Sequence, residues 1–340
     1  MKKEDRQTLE PQTKVSKYTI ISLLGQGGFG DVYQVKDENG KKFAMKTENI
    51  NAPKKALERE IEIISSLKPG SFPKVYDSGQ YQDFEYFVMD QYGPSVSQIR
   101  KNHFGSLISR HVYLIAYEML KIIQSLHEQG YVHCDIKPSN FLINNSQEHP
   151  LILIDFGITK PYIDFNTHEL LEPKDGHFSG TRKYASINAL SEKDVGRCDD
   201  LICWFYSVVE LSHKLPWRNL HGNNEILEAK INCPIEQLTN KLSANFRKIF
   251  EYISSLQFKD EPNYERIFSL INNDMFMFSF NRNNFSWEYF YKTETEEMNK
   301  NQETQENLEP EIVSVEEEEN NEKTESENTN KGKGGCCGIY

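Results

Sequence analysis

A glycine-rich loop between two strand patterns constrains the fold of this chain more than any other feature of its sequence. Gly25, Gly27 and Gly30 form G-x-G-x-x-G, preceded by the apolar run YTIISLL and followed by the alternating run VYQV. A turn at 38–40 and the run KKFAMK complete three predicted strands over residues 18–48. Dinucleotide-binding proteins place the same spacing between a strand and a helix. A loop that joins two strands is either a plain glycine-containing hairpin or a flap over nucleotide phosphates, which glycine backbone can approach closely.

The order of the remaining elements predicts an α+β class. Residues 55–67 predict a helix, because their apolar residues recur at helical spacing. A predicted strand at 86–90 follows, and a long helical pattern runs from Ser109 to Gln129 and ends at Gly130. The first part of the chain is therefore rich in strands, and the second part is helical.

Two residues of the first part form a candidate ion pair. Lys46 ends the third predicted strand, and Glu60 lies 14 positions further on, in the predicted helix. In a phosphotransferase of this plan the ammonium holds the α- and β-phosphates of ATP, and the carboxylate holds the ammonium. Glu58 and Glu62 on the same helix compete for the role, and only register favours Glu60. Taken singly, each of these charges is typical of a solvated surface.

The segment HCDIKPSNFL at 133–142 is the most specific motif. Asp135 and Asn140 match the pattern H-R-D-x-x-x-x-N, in which the aspartate accepts the proton of a substrate hydroxyl and the asparagine holds a metal ion. Lys137 is expected beside the transferring phosphate. The apolar run LILIDFG then delivers Asp155 to a Mg²⁺ ion that bridges the β- and γ-phosphates. These motifs occur in the order in which the mechanism requires them.

Beyond these motifs the chain resembles the casein kinase I family over about residues 17–290. The segment SGTRKYASINAL at 179–190 stands where most kinases have A-P-E, and the similarity continues through 197–211, LPW and 262–271. The run KPSNF is similar to the tau-tubulin kinase branch in particular. The resemblance implies a two-lobed protein kinase fold, with a β-rich N-lobe that has one main helix and a mostly helical C-lobe. It also implies transfer of the γ-phosphate of MgATP to serine or threonine residues of proteins.

The resemblance also implies a set of site residues. Asp135, Lys137 and Asn140 are the expected catalytic residues, and Asn140 and Asp155 the expected Mg²⁺ ligands. Arg197 and Lys230 match basic residues near a pocket for acidic or pre-phosphorylated substrate. Met89 lies at the gate of the adenine pocket. The residues expected to bind ATP are Leu24, Gly25, Gln26, Gly27, Gly28, Phe29, Gly30, Asp31, Val32, Ala44, Lys46, Glu60, Met89, Asp90, Tyr92, Leu142, Ile154 and Asp155.

Two positions depart from the family pattern. Cys134 replaces the arginine that usually precedes the catalytic aspartate and couples it to a phosphorylated activation loop, so we expect that control to be absent. The thiol is either a redox sensor or a small packed side chain. Asn219 stands where the family tends to place a glycine that lines the anion pocket, which weakens the expectation of a preference for pre-phosphorylated substrates.

The acidity of the chain is confined to one segment. Of the net charge of −12, residues 293–340 contribute 14 glutamates and 4 lysines, a net of −10, which leaves −2 for residues 1–292. A nearly neutral folded part lacks the basic stripe of a nucleic-acid-binding protein. We therefore expect an N-terminal extension at 1–16, a kinase domain at 17–291 and an acidic, disordered tail at 292–340 that ends in a cysteine pair.

The cysteines and the ends of the chain indicate a location. The six cysteines contain no C-x-x-C pair, which predicts reduced thiols in a cytoplasmic protein rather than a zinc site or a disulfide framework. The first residues are polar and lack an apolar signal region, and no run approaches the roughly 20 apolar residues of a membrane span. Cys336 and Cys337 follow two lysines, a pattern that favours lipidation and peripheral membrane attachment. We expect a monomer whose partners are protein substrates.

Three alternative functions remain to be weighed. A pseudokinase that serves as a nucleotide-binding scaffold, or a catalytically weak kinase, is disfavoured because Lys46, Asp135, Asn140 and Asp155 are all present. A nicotinamide-dependent oxidoreductase is disfavoured because a strand follows the glycine loop. Phosphorylation of a small molecule is disfavoured by the resemblance of the S-I-N segment to protein kinases.

Overall fold

The computed structural model describes residues 7–28, 30–52, 55–174, 176–277 and Trp287. Its strands are β1 Lys14–Val15, β2 Tyr18–Gly27, β3 Gly30–Lys36, β4 Lys42–Asn49, β5 Asp77–Tyr81, β6 Phe84–Asp90, β7 Tyr131–Val132, β8 Phe141–Ile143, β9 Leu151–Leu153 and β10 Lys160–Pro161. Its α-helices are α1 Leu57–Ser66, α2 Val96–Asn102, α3 Ser109–Glu128, α4 Ile187–Leu190, α5 Arg197–Ser212, α6 Asn223–Ile231, α7 Ile235–Thr239, α8 Ala244–Ser255 and α9 Tyr264–Met277. The α+β fold predicted from the sequence is therefore confirmed.

The first lobe is built on an antiparallel sheet of six strands in the order β1-β2-β3-β4-β6-β5. Strand β3 shows why the sheet has two different faces, since side chains alternate along a strand. Asp31, Tyr33 and Val35 are buried on one face, whereas Val32 and Gln34 lie on the other. Tyr33 and Val35 join an apolar cluster on that first face, while the opposite face is left for the cavity described below.

Gly30, the third glycine of the loop, occupies a position that other residues cannot adopt. Its φ is +127°, and a Cβ atom there would lie 2.0 Å from the carbonyl oxygen of Thr47 on β4. Absence of the side chain lets β3 approach β4 closely at the turn. Gly25 and Gly28, by contrast, have open space where a Cβ would be.

Helix α1 is attached to the sheet through a buried carboxylate. Oε2 of Glu48, at the end of β4, accepts hydrogen bonds from the backbone N–H groups of Ala56 and Leu57 at 2.9 and 3.0 Å. These are two of the amides that a helix start leaves without an intrahelical partner. A negative charge at this end is also favourable for the helix dipole. The contact fixes the start of the helix that carries Glu60.

The second lobe is organised around α5. Nearly every side chain of this helix is buried, so it forms the centre of the lobe rather than its surface. Helix α3 packs against it, and the indole Nε1 of Trp204 donates to the carbonyl of Ala116 on α3 at 3.0 Å. Helices α8 and α9 cover other faces of the same core. The first turn of α5 reaches the loop between β7 and β8, which becomes important for the site.

The local predictions agree closely with these elements. The three strands within 18–48, the helix within 55–67 and the strand at 86–90 are all present. The long helix ends at Glu128, and Gly130 has the positive φ of +87° that ends many helices. Among the helices that the structure describes, none is both long enough and apolar enough to cross a membrane. The acidic tail, with Cys336 and Cys337, lies outside the described residues, so the predicted domain boundaries stay predictions.

Candidate active site

A cavity of about 570 Å³ lies between the glycine loop and the loops that follow β7 and β9. Most of the predicted catalytic and ATP-binding residues line it. Those brought together are Gly25, Gln26, Gly27, Gly28, Gly30, Val32, Lys46, Glu60, Met89, Asp135, Lys137, Asn140, Ile154 and Asp155. They come from six stretches of sequence, so only the folded chain makes them one site.

The Lys46 ammonium is held between two carboxylates at the back of the cavity. Its Nζ donates to Oε2 of Glu60 at 2.6 Å and to Oδ1 of Asp155 at 2.9 Å. Glu58 and Glu62 are exposed, so the structure resolves the choice among the three helix glutamates in favour of Glu60. The cluster joins strand β4, helix α1 and the loop after β9.

The charges of this cluster stabilise one another. Burial alone would lower the pKa of Lys46, but the two carboxylates outweigh it and raise that pKa above its ordinary value. Burial likewise opposes ionisation of Asp155, yet the ammonium holds its pKa below the usual 3.8. Lys46 and Asp155 are thus charged at neutral pH, and a buried charge needs such a partner.

Phe156 couples this cluster to the apolar core. Its backbone N–H donates to Oε1 of Glu60 at 3.2 Å, so both carboxylate oxygens of Glu60 are engaged. Its ring packs against Phe72 and against the imidazole of His133, with centroids 6.0 and 5.2 Å apart. The position of Asp155 is therefore set by packing of the next residue as well as by Lys46.

Asp135 lies on the facing side of the cavity and is bound on both oxygens. Oδ1 accepts from the backbone N–H of Thr181 at 2.9 Å, and Oδ2 accepts from Nζ of Lys137. Lys137 also donates to Oγ1 of Thr181 at 3.1 Å. Gly180, with φ +110°, lets this segment approach, because a Cβ atom there would lie 3.3 Å from Oδ1 of Asp135. An aspartate and a lysine thus face the same small volume.

The oxygen donors of the cavity suit a hard divalent cation. Nδ2 of Asn140 donates to the carbonyl of Asp135 at 3.0 Å, which directs the amide oxygen away from that carbonyl. Asp155 contributes a carboxylate, and amide and carboxylate oxygens are the ligands that Mg²⁺ takes. In the described part of the chain, no three His, Cys, Asp or Glu residues form a complete metal cage. A cation here would take its other ligands from phosphate and water.

Asp200, which the sequence analysis missed, shapes the loop that carries Asp135. Its carboxylate accepts from the backbone N–H groups of His133 and Cys134 at 2.7 and 2.9 Å, and from Nε2 of His127 at 3.0 Å. Cys134 has φ +68°, a region that costs energy for a residue with a side chain. The three hydrogen bonds offset that cost. The sequence signal was the charged pair Asp199–Asp200 directly before the apolar run LICWFY of the same helix.

Two side chains beside Asp135 are uncharged. Nδ1 of His133 accepts from the backbone N–H of Asp135, and Nε2 donates to the carbonyl of Ile154, an arrangement that requires the neutral imidazole. Burial also lowers the pKa of His133. The pKa of the Cys134 thiol is raised by burial, so the reactive thiolate is disfavoured. Of its two predicted roles, the structure supports the packed side chain over the redox sensor.

Several predicted ATP-binding residues do not line the cavity. Leu24 is 48% exposed, and Asp31 lies on the opposite face of β3 from Val32. Asp90 accepts a hydrogen bond from the hydroxyl of Tyr76 and, with Tyr92, lines a neighbouring cavity of about 740 Å³. Ala44 is buried between strands, Leu142 is half-buried on β8, and Phe29 lies outside the described residues. Strand alternation and packing decide whether each side chain points into the cavity. Matching positions to a family motif does not give that information.

The predicted anion pocket is not formed by Arg197 and Lys230. Arg197 is 9% exposed, and its guanidinium lies over the ring of Tyr162 and donates to the carbonyl of Asp260 at 3.0 Å. Lys230 is 5% exposed and donates to the carbonyls of Arg182 and Ala185. The two cations lie in separate environments, and each is already bound to backbone oxygen. This corrects the expectation that they lie near a pocket for acidic or pre-phosphorylated substrate.

Other residues that line the cavity were not predicted, namely Ile64, Pro73, Ser139, Gly180 and Thr181. Ile64 lies one helical turn after Glu60, so helix periodicity could have indicated it. Ser139 belongs to the predicted catalytic loop. Thr181 directly follows Ser179 and Gly180. No local sequence pattern reveals that its backbone contacts Asp135.

Comparison with known proteins agrees with this arrangement. The sequence model of the protein kinase domain family matches residues 18–273, about three quarters of the chain. A protein from Dictyostelium discoideum, described as a "probable serine/threonine-protein kinase", is 31% identical over 263 residues. That match covers 76% of this chain and 53% of the relative, so the chain spans about half the length of the protein it matches.

Substitution of Lys46 by methionine should make stability depend on pH. Burial already raises the pKa of Glu60 above its ordinary 4.5, and the ammonium is what holds the pKa of Asp155 below 3.8. Without the ammonium, burial is left to raise the pKa of both groups, so both carboxylates destabilise the fold above their ordinary pKa values. We expect Lys46→Met to lower the free energy of unfolding by about 3 kcal/mol near pH 7.5. The loss should shrink as the pH falls towards about 5, where the carboxyl groups begin to take up protons.

Chemical denaturation at both pH values measures this difference. Lys36→Met, at the exposed end of β3, is the matched control. It should leave the free energy of unfolding nearly unchanged at both pH values. An equal loss at the two pH values would contradict the assignment of a buried charge cluster.

Proposed function

Since the chain belongs to the protein kinase family, we propose that it transfers the γ-phosphoryl group of ATP to serine or threonine hydroxyls of proteins. Membership of the family implies the use of ATP and a divalent metal ion. The observation that carries the proposal is the arrangement of Lys46, Glu60 and Asp155 on one side of the cavity and Asp135 and Asn140 on the other. The name of the Dictyostelium relative supports the serine/threonine class.

We assign a role to each polar residue of the cavity. Lys46 binds the α- and β-phosphates, and Glu60 keeps its ammonium in place. Asp135 orients the substrate hydroxyl and accepts its proton as the new oxygen–phosphorus bond forms and the bond to the β-phosphate oxygen breaks, releasing ADP. Lys137, bound to Asp135 and Thr181, places a positive charge beside the phosphoryl group that is being transferred.

We propose Mg²⁺ as the metal, with Asn140 and Asp155 as its protein ligands. When bound, such an ion neutralises charge on the β- and γ-phosphates. The chain prepares for it in two ways. The hydrogen bond from Asn140 to the carbonyl of Asp135 orients the amide, and Lys46 keeps Asp155 ionised.

Within the family we propose the casein kinase I group, with features of the tau-tubulin kinase branch. The supporting observation is the segment SGTRKYASINAL, which contains residues that touch Asp135 and that begin helix α4. Ser186 of that segment caps α4 by accepting from the N–H of Ala189. The specific motif is thus placed beside the proposed catalytic residues.

The alternative from another class is a catalytically weak kinase or a pseudokinase scaffold that binds nucleotide and partners. The ion pair between Lys46 and Glu60 is intact, and Asp155 is directed at Lys46. These contacts favour a competent enzyme, because a scaffold has no need of buried charges that are costly to assemble.

Replacement of Asp135 or Asp155 should abolish transfer of phosphate. We expect Asp135→Asn and Asp155→Ala to reduce phosphorylation of casein by at least about a thousandfold, because the first loses the proton acceptor and the second a metal ligand. Incorporation of labelled phosphate measures the loss. Asp83→Ala, in the exposed β5–β6 turn, is the control and should retain activity. Full activity in Asp155→Ala would reject the catalytic assignment, and an inactive wild type would favour the scaffold.

We propose a preference for sites that carry acidic or phosphorylated residues. Arg197 and Lys230 do not support it, but Arg182 does, because it is exposed and directly follows Thr181. Arg182→Ala should lower kcat/KM for a pre-phosphorylated peptide by about tenfold and change the unphosphorylated peptide much less, since a phosphate gains charge-assisted hydrogen bonds. Arg110→Ala on α3 is the exposed control. Equal losses for both peptides would argue against the preference.

We further propose a monomeric, cytoplasmic protein that binds no nucleic acid and attaches to membranes through lipidated Cys336 and Cys337. The sequence pattern alone supports these statements, since the cysteine pair is outside the described residues. One acyl chain gives only marginal binding, so both cysteines are expected to be modified.

Fractionation of cells that express the full chain should place the wild type with membranes and the Cys336→Ser, Cys337→Ser double variant in the soluble fraction. Cys233→Ser is the control, because it changes a cysteine of the folded part. Equal solubility of all three proteins would contradict membrane attachment.

A further inference from the structure

The backbone between Thr181 and Ser186 is held by side chains from the core of the second lobe. The segment begins at the N–H of Thr181, which donates to Asp135, and ends at Ser186, which caps α4. Between them lie only a turn and no strand. Carbonyls that are not part of regular structure need other donors. Here the donors are Lys230 and Trp217.

Lys230 supplies two of these hydrogen bonds from the last turn of α6. Its Nζ donates to the carbonyl of Arg182 at 3.0 Å and to the carbonyl of Ala185. The same ammonium lies 4.8 Å from the ring centroid of Tyr206 and 5.0 Å from that of Trp217. The residue as a whole is 5% exposed, so the ammonium is largely shielded from solvent.

Trp217 supplies the third. Its indole Nε1 donates to the carbonyl of Lys183 at 2.8 Å, between the two carbonyls that Lys230 binds. Its ring packs edge-on against Tyr206, with centroids 4.9 Å apart. One compact group of side chains therefore fixes three of the four carbonyls from 182 to 185.

Among the described residues, no carboxylate forms an ion pair with Lys230. Burial lowers the pKa of Lys230 to about 7, and the Cys203 thiol is the one titratable neighbour in the described chain that favours the charged form. Tyr206 and Cys203 on α5 both have raised pKa values and stay neutral. The facing segment brings only further cations, Arg182 and Lys183. The ammonium thus depends on the carbonyls and the rings, and the carbonyls depend on it.

We propose that Lys230 and Trp217 are positioning residues for the protein substrate. They set the path of residues 182–185 next to Asp135, where the backbone around the acceptor serine or threonine has to dock. The inference rests on the proposed kinase function. It assigns Lys230 to the support of the substrate platform and not to the binding of a substrate anion.

The test separates binding of peptide from binding of ATP. Lys230→Met keeps an unbranched side chain between the two rings but loses both hydrogen bonds. We expect KM for an unphosphorylated peptide substrate to rise about tenfold, the factor that corresponds to 1.4 kcal/mol. KM for ATP should change less than about twofold. Trp217→Phe keeps an aromatic ring, loses one neutral hydrogen bond and should raise KM for the peptide about fivefold.

The control is Lys248→Met on α8, an exposed lysine for which both constants should match the wild type. Thermal unfolding of each variant establishes that it is folded, and Trp217→Phe gives an independent result should Lys230→Met fail to fold. Parallel changes in the constants for ATP and peptide would show a merely structural role and overturn the proposal. Unchanged peptide KM in both variants would do the same. A wild type that phosphorylates no peptide would instead reject the proposed function itself.

Discussion

The arrangement of this molecule depends on one buried cluster of charges, Lys46 with Glu60 and Asp155. Each residue belongs to a different part of the fold. Each is also largely buried, so its charged form depends on the opposite charge beside it. The cluster therefore fixes the relative positions of β4, α1 and the loop after β9. Glu48 holds the start of α1 and the ring of Phe156 fills the apolar space behind Asp155, so neighbouring contacts maintain the same geometry.

A second buried carboxylate plays the corresponding part on the other side of the cavity. Asp200 belongs to α5, the central helix of the second lobe, and it binds two consecutive amides of the loop that carries Asp135. Burial raises the pKa of such a group, but the hydrogen bonds from His127 and the loop lower it below its usual value, so it is ionised. The left-handed backbone conformation of Cys134 is therefore held by a side chain of α5. The reactive face of the cavity is thereby tied to the most buried element of the chain.

The sequence was most informative where a local rule governs the outcome. Glycine at position 30, the strands on either side of the loop and the helix that carries Glu60 all follow from short-range patterns, and the order of the motifs indicated which residues meet. It was least informative about direction. Asp31 and Val32 are neighbours on the same strand, yet only Val32 lines the cavity. Arg197 and Lys230 were expected near a pocket for acidic or pre-phosphorylated substrate, and both instead bind backbone carbonyls in the interior. Long-range contacts such as those of Asp200 leave little trace in local spacing.

The conformation of residues 181–186, beside Asp135, is held by side chains of the chain itself and does not require a phosphorylated residue. Cys134 occupies the arginine position of the pattern H-R-D-x-x-x-x-N, and burial raises the pKa of its thiol, so this position offers no positive charge for a phosphorylated residue. The segment is instead held from beneath by Lys230 and Trp217, while its Tyr184 hydroxyl donates to Glu210. These donors are present in every copy of the folded chain. A platform supported in this way is formed by folding itself, which is consistent with a cysteine in place of an arginine at position 134.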